Sequence, residues 1–197
     1  MPAAGVYDSD ELLMGPGDLY LMPTASAPAT GVKLVITDGK PPDGLLFGYT
    51  TEGTRLVSTI ETTGIIADES ATPLKQRLTS ELWAIEGTLM QIADAAYKKL
   101  EALLPQGRIG APGFTFGGAA SYATTSEYAV CVIFPSPEDN TKYGYAILYK
   151  ARNIAEFAAQ ISRVTEAQVD FRFEGATVGS RPKADQVGSL VWDASTP

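Results

Sequence analysis

Few residues in this sequence could carry chemistry, because it contains no histidine and a single cysteine. Without histidine, the Ser-His-Asp and Cys-His arrangements, histidine-ligated metals and histidine proton shuttles are excluded. Cys131 lies in the apolar run 129–133. That setting favours a small buried side chain in a strand over a nucleophile. One cysteine also excludes an intrachain disulfide.

Acidic residues are the remaining candidates for acid–base or metal chemistry. Asp170 and Glu174 lie four residues apart in a predicted strand, which separates them by about 13 Å, too far for the carboxylate pair of a glycosidase. The acidic residues at 8–11 and 68–69 lack the spacing of an EF-hand loop, and no glycine-rich segment has the spacing of a phosphate or dinucleotide loop. We therefore expect a protein that is not an enzyme, with no cofactor and no metal site.

Composition restricts the class of protein further. The 197 residues are most simply one domain, and the formal net charge of -8 opposes a grip on nucleic acid, which depends on lysine and arginine. No apolar run approaches the length of a membrane span, and the first residues lack the basic start of a signal peptide. The expectation is a soluble protein assembled in the cytoplasm, with no membrane partner.

The clearest helical pattern in the chain covers residues 88–104. Leu89, Ile92, Ala96 and Leu100 fall on one side of a helix of this length, with polar residues on the other. Thr88 has the side chain of an N-cap, and a proline and a glycine end the run. Because no second segment has a comparable period, this amphipathic helix is expected to flank a sheet.

Alternating or β-branched segments predict that sheet. They lie at residues 18–23, 45–50, 54–62, 75–85, 126–134, 143–150 and 168–175. The alternation is strictest in the last, where Val169, Phe171 and Phe173 point inward. The prediction is a mainly β subunit, an antiparallel sandwich or barrel-like fold of about eight strands, with residues 126–134 and 143–150 paired as a hairpin. Residues 153–161 fit either a helix or a strand.

Three segments without regular periodicity divide the chain. Residues 1–16 predict a flexible N-terminal arm, and residues 24–44 a long loop in which 32–36 could form a small hairpin. Residues 176–197 predict a C-terminal arm, which Leu190 and Trp192 could anchor on a neighbouring molecule. The domain proper is then expected at residues 17–175.

The order of several short motifs resembles one protein family. The motifs are the opening Gly-Pro-Gly-Asp-Leu-Tyr-Leu-Met-Pro at 15–23, Leu-Phe-Gly-Tyr-Thr-Thr-Glu-Gly-Thr at 46–54, Glu-Gly-Thr-Leu at 86–89, Phe-Pro at 134–135, Val-Thr at 164–165, and Val-Asp-Phe-Arg-Phe-Glu at 169–174. Their order and spacing, from residue 15 to 175, resemble the major tail proteins, or tail tube proteins, of long-tailed bacteriophages with non-contractile tails.

The resemblance implies a structural virion protein. Subunits of this family form hexameric rings that stack into a tube, through which DNA passes during ejection without specific binding. The expected partners are other copies of the chain, and the tape measure, tail terminator and tail-tip proteins. Residues expected to face the lumen are Gln168, Asp170, Arg172, Glu174, Arg77, Thr79 and Glu81. The expected ring-stacking residues are Val32, Lys33, Val35, Ile36 and Asp38.

Two other classes remain open from the sequence. One is a different virion protein of similar build, such as a tail terminator, a capsid decoration protein or an adhesion domain. The other is a hydrolase that uses acids only, which would need two carboxylates converging on one cleft.

Overall fold

Alternation of apolar and polar residues builds most of this chain into strands. The structure is a computed structural model and describes residues 11–14, 17–48, 50–65, 75–90, 98–104, 108–110, 113–115, 126–135, 142–158 and 168–192. Its strands are β1 Glu11–Met14, β2 Asp18–Pro23, β3 Leu45–Gly48, β4 Thr50–Ile65, β5 Lys75–Leu89, β6 Arg108–Gly110, β7 Gly113–Thr115, β8 Tyr128–Pro135, β9 Tyr143–Asn153, β10 Val169–Gly175 and β11 Gly188–Val191. One described α-helix, α1, covers Lys98–Leu103.

Nine of these strands form one antiparallel sheet. The order is β1-β4-β5-β10-β9-β8-β2-β3, and β11 also pairs with β9. Because β8 occupies one edge of β9, β10 and β11 lie end to end along its other edge. This architecture confirms the predicted mainly β, sandwich-like fold, and the predicted hairpin is β8 and β9.

The sheet curls around an inner core to which both of its halves contribute. Phe47 of β3 contacts Phe171 and Phe173 of β10 edge to face, with ring centroids 5.6 and 5.5 Å apart. Leu19 and Val130 from one half and Ile85 and other residues from the opposite half join the same buried cluster. The predicted inward alternation of β10 is therefore confirmed, because Val169, Phe171 and Phe173 are buried here.

A second, outer core lies on the opposite face of β2, β8 and β9. Tyr20, Cys131 and Tyr145 are buried there beneath Leu34 and Ile36 of the long loop. The backbone N–H of Leu34 donates to the Tyr145 hydroxyl at 2.9 Å. The loop at 24–44 thus covers its own sheet, and it buries two of its own apolar side chains in doing so.

One feature of the long loop differs from expectation. The predicted hairpin at 32–36 is wrong, because these residues form no strand, and the loop instead makes a turn closed by a bridge between Thr37 and Lys40. At the turn Asp38 and Gly39 both have positive φ, 51° and 73°. Asparagine, aspartate and glycine tolerate that conformation best.

The helix prediction is wrong at its start. Thr88 and Leu89 belong to β5, where they pair with Asp170 and Val169 of β10, so Thr88 is not an N-cap. Helical residues are described only from Lys98 to Leu103, and residues 91–97 lie outside the described part. The buried Asn153 holds the end of α1, because its Nδ2 donates to the Leu103 carbonyl at 2.9 Å.

Both predicted arms contain strands of the sheet. Residues 11–14 pair with β4 and residues 188–191 pair with β9, so the domain extends beyond 17–175. Hydrogen bonding to the open edges of β4 and β9 supplies the order that local periodicity did not reveal. Residues 1–10, 15–16 and 193–197 lie outside the described part. Asn153 ends β9, and residues 154–158 are neither helix nor strand; residues 159–161 lie outside the description.

Candidate functional site

The exposed face of β4, β5 and β10 carries a ladder of paired charges, here called the polar face and defined by Arg55, Glu86, Thr88, Asp170 and Arg172. The two arginines flank Glu86 in the register of the strands, and Thr88 lies opposite Asp170. The Thr88 hydroxyl donates to Asp170 Oδ1 at 2.7 Å. Each polar side chain on this ladder therefore has a partner on the neighbouring strand.

Glu86 is the centre of the polar face. Arg55 Nη2 lies 2.7 Å from its Oε1, and Arg172 Nη1 lies 2.6 Å from its Oε2. The Glu86 side chain is 17% exposed, and both arginines are more exposed than it is. One carboxylate thus holds two guanidinium groups from two different strands.

The residues predicted to face a lumen are not all on this face. Gln168 and Asp170 are exposed, and Arg172 and Glu174 are partly exposed, with the last three alternating along β10 on the polar face. Glu81 lies opposite Ile60 and on the same face of β5 as Ile85, which is the inner face. The structure therefore brings the β10 residues together and separates Glu81 from them.

A bulge changes the alternation of β5 at the other two predicted positions. Ser80 pairs with Glu61 and Leu78 with Thr62, so Thr79 is the extra residue, and its hydroxyl donates to the Glu61 carbonyl at 2.9 Å. Thr79 is exposed, whereas the side chain of Arg77 lies outside the description. The strict alternation predicted for residues 75–85 therefore ends at the bulge.

β1 pairs with β4 only as far as Val57, and β10 pairs with β5 only as far as Ala84. Past these two residues β4 and β5 continue as a pair, with no other described strand beside them. This extension, called the ribbon, comprises residues 58–65 and 75–83. Its inner face continues the face that is buried lower in the sheet, yet Ile60 is 60% exposed. Trp83 on the same face is half-buried, and its Nε1 donates to Glu81 Oε1 at 2.7 Å.

A cleft of about 510 Å³ separates the ribbon from β11. Trp83 and Glu81 form one wall, and Leu190 and Ser189 contribute to the other. Glu81 is the only carboxylate among its lining residues. Because hydrolysis by acids alone needs two converging carboxylates, this cleft does not support the hydrolase alternative.

The long loop presents some of its predicted stacking residues and buries another. Val32, Lys33, Val35 and Asp38 are exposed, whereas Ile36 is buried in the outer core. Ile36 therefore contributes to the packing of its own subunit. Val32 and Val35 are therefore two apolar side chains on the surface of the loop.

The predicted anchors near the C-terminus contact their own subunit. Leu190 packs against the inner core, and Trp192, about half exposed, contacts the Phe134 ring with centroids 5.7 Å apart. The preceding segment is held by Arg181, whose guanidinium lies 3.5 Å from the centroid of the Tyr149 ring and donates to the Pro28 carbonyl. Sequence reasoning missed this connection between the two irregular segments, since no local pattern pairs Arg181 with residues so distant.

Cys131 is completely buried in β8, as the sequence predicted, and burial raises the pKa of its thiol. A thiol that stays protonated in an apolar setting is a poor nucleophile. In the described part of the chain, no group of three or more potential ligands could hold a metal ion. None of the described helices has both the length and the apolar character required to cross a membrane.

Comparisons with known proteins identify no family for this chain. No protein-family model matches the chain. A search of curated proteins likewise finds no significant match.

Proposed function

We propose that this chain is the tube-forming subunit of a long-tailed bacteriophage with a non-contractile tail, assembling through copies of itself into stacked hexameric rings. The main support for this proposal is the ribbon. Its inner face extends a core surface past the body of the subunit, and Ile60 is exposed on that face. Ile60 and the half-buried Trp83 are apolar positions on a face that continues a core, and another protein can cover them. The order of the sequence motifs, which resembles that of the tail tube proteins, also supports the proposal.

The edges of the sheet support self-association. β1 and β3 are the terminal strands of the described sheet, so each has an edge of backbone donors and acceptors that no other described strand pairs with. Such edges pair readily with strands of another chain. On β3, Leu46 is an exposed large apolar residue. A ring of identical subunits would satisfy both edges at once.

In this proposal Gln168, Asp170, Arg172 and Glu174 face the lumen, because the last three alternate on the polar face and Gln168 is exposed immediately before β10. DNA passes over them without specific binding. Val32, Lys33, Val35 and Asp38 contact the adjacent ring, and the tape measure, terminator and tail-tip proteins are further partners. The protein would reside in the virion tail after assembly in the host cytoplasm, with a structural and not an enzymatic role.

Negative-stain electron microscopy of the purified protein tests this function. We expect rings with sixfold symmetry and tubes of variable length that grow with protein concentration. Monomers alone, across a wide range of salt and protein concentrations, would contradict the proposal.

The same images separate the alternative virion proteins. A tail terminator would stop at a single ring, whereas a tube subunit polymerises without a fixed end. A decoration protein or an adhesion domain would form no tube. Open-ended growth is thus the result that distinguishes the preferred function from each of them.

A further inference from the structure

The cleft between the ribbon and β11 has apolar walls and one charge of each sign. Trp83 and Leu190 supply apolar surface on its two sides, and Glu81 and Lys183 line it with opposite charges. Both charged residues are exposed, and no ion pair in the described part of the chain involves Lys183. Concave surfaces with apolar walls and a few polar groups are typical of binding sites.

The long loop carries a tight turn at residues 37–40. The Thr37 N–H donates to the Lys40 carbonyl at 2.9 Å, and the Lys40 N–H donates to the Thr37 carbonyl at 3.0 Å. Asp38 and Gly39 between them both have positive φ, which is the mark of a type I′ turn. Because hydrogen bonds close the turn in both directions, it has little conformational freedom to lose when it binds another surface.

The turn and the cleft have complementary charges. Asp38 and Lys40 are both exposed on the turn. The acid can then meet Lys183, and the lysine can meet Glu81. Val35, which is 52% exposed, adds an apolar side chain two residues before the turn. Two charge pairs of opposite sign favour one orientation of the turn in the cleft over its reverse.

The two surfaces belong to opposite faces of the sheet around β9. Leu34 and Ile36 attach the long loop to the outer core, whereas Leu190 beside the cleft packs against the inner core. The turn and the cleft of one copy are therefore available to different neighbours. A contact between two different surfaces can repeat from copy to copy, as assembly into rings or filaments requires.

We propose that the turn at residues 37–40 of one copy enters the cleft of another copy, with Lys40 against Glu81 and Asp38 against Lys183. The inference deepens the proposed function, on which it rests for the presence of neighbouring copies, and it names the surface that receives the long loop. The cleft is then one half of a contact whose other half is the turn.

Reversal of one charge pair tests the contact. Lys40→Glu and Glu81→Lys each bring like charges together, so each should need about tenfold more protein than the wild type for half-maximal assembly at low salt. An equimolar mixture of the two should assemble at the wild-type concentration, because each turn finds a cleft of opposite charge in the other variant. Sedimentation measures assembly, and circular dichroism measures the folding of each variant.

Glu156→Lys is the matched control. Glu156 is exposed after β9 and does not line the cleft, and this substitution changes the net charge by the same amount as Glu81→Lys. In a mixture with Glu156→Lys, the Lys40→Glu protein should stay in the supernatant, identified by its mass, because every cleft still has its carboxylate. The inference is overturned if either variant of the charge pair assembles like the wild type, or if Lys40→Glu sediments equally with both partners.

Electron microscopy of the same samples keeps the two proposals separate. If the wild-type protein forms tubes and the mixture of Lys40→Glu with Glu81→Lys recovers no assembly, the tube function stands and the contact is wrong. If the wild-type protein never forms rings or tubes, but this mixture associates and the control mixture leaves Lys40→Glu behind, the contact stands and the tube function fails. Association in none of the samples would overturn both.

Discussion

Gly144 allows the Phe134 ring to lie directly on β9. The two residues pair across β8 and β9, and a Cβ built at position 144 would lie 2.8 Å from Phe134 Cζ. Phe134 is buried and also contacts the Trp192 ring. A side chain at position 144 would therefore displace an aromatic ring that closes one end of the inner core.

Gly144→Ala should destabilise the subunit by about 1 to 3 kcal/mol, the usual cost of overpacking a core. Gly179→Ala is the matched control, because a Cβ at position 179 meets nothing within 4 Å. Urea unfolding followed by tryptophan fluorescence measures both. Equal stability of the two variants would show that the ring moves aside without cost.

Tyrosines of the outer core make stability sensitive to alkaline pH. Burial is the main cause that raises the pKa of Tyr20, Tyr145 and Tyr149 above 10.0. The unfolded chain then loses these protons at lower pH than the folded one. Stability from this source is complete below pH 10 and is lost as pH rises through the higher pKa values of the folded state.

Tyr20→Phe removes one of these hydroxyls and should therefore lessen the fall in the free energy of unfolding above pH 10. The substitution removes only one long hydrogen bond, the 3.5 Å bond from the Tyr20 hydroxyl to Asp18. Urea titrations at a series of alkaline pH values measure the slope. A slope identical to that of the wild-type protein would exclude Tyr20 as a source of the effect.

At the scale of elements, the ribbon has two faces of different character. Ile60 lies on the inner face, whereas the adjacent Thr59 lies on the polar side, and both are exposed. Exposure means that a lysine at either position can be hydrated within the isolated subunit. The two positions therefore compare the inner and polar faces with the same change of charge.

Ile60→Lys should abolish ring and tube formation while the subunit remains folded, because the charge would be buried against the neighbouring copy. Thr59→Lys should leave ring and tube formation in place. Electron microscopy and sedimentation measure assembly, and circular dichroism measures folding. Tubes formed equally well by both variants would show that the inner face of the ribbon contacts no other copy.

The segment after β10 is a structural part of the domain. β11 pairs with β9, and Arg181 joins the segment to the long loop. Truncation after residue 175 should leave a chain that does not fold, because Tyr145 and Tyr149 lose their cover. A stable, cooperative subunit ending at residue 175 would contradict this assignment.

The elements differ in how far local sequence could predict them. β10 was predictable because one of its faces is wet and the other is buried, so Phe171 and Phe173 alternate with charged residues. Leu89 fits both a helical and a strand period, and its state follows from pairing with Val169, 80 positions away. β11 has too few residues for a period, and it forms because β9 has an open edge. The Arg55–Glu86–Arg172 cluster depends on the register of three strands, which sequence spacing alone does not fix.

At the scale of the whole molecule, apolar contact and charge oppose each other in assembly. Every subunit has a formal net charge of -8, so identical copies repel one another at low ionic strength. The exposed Ile60 and Leu46 offer apolar area that a ring would bury. The balance between these two forces is set by screening.

Raising salt from about 0.01 M to about 1 M shortens the Debye length from about 30 Å to about 3 Å and should promote assembly. Light scattering and electron microscopy at fixed protein concentration measure the tube fraction. Thr59→Lys, which reduces the net charge, should reach the same fraction at lower salt. Assembly that decreases as salt rises would instead show that ion pairs dominate the contacts between copies.

The pairing of β2 with β8 has a consequence for synthesis on the ribosome. Asp18 meets Ile133 in this pair, and Val191 later meets Tyr145. The nascent chain therefore carries β2, with apolar residues on both faces and only the short β3 beside it, through the translation of more than a hundred further residues before β8 emerges. Pairing across such a separation also makes folding slow. Folding of the newly made subunit is thus essentially post-translational, and its yield depends on the chaperones available in the cell that makes it.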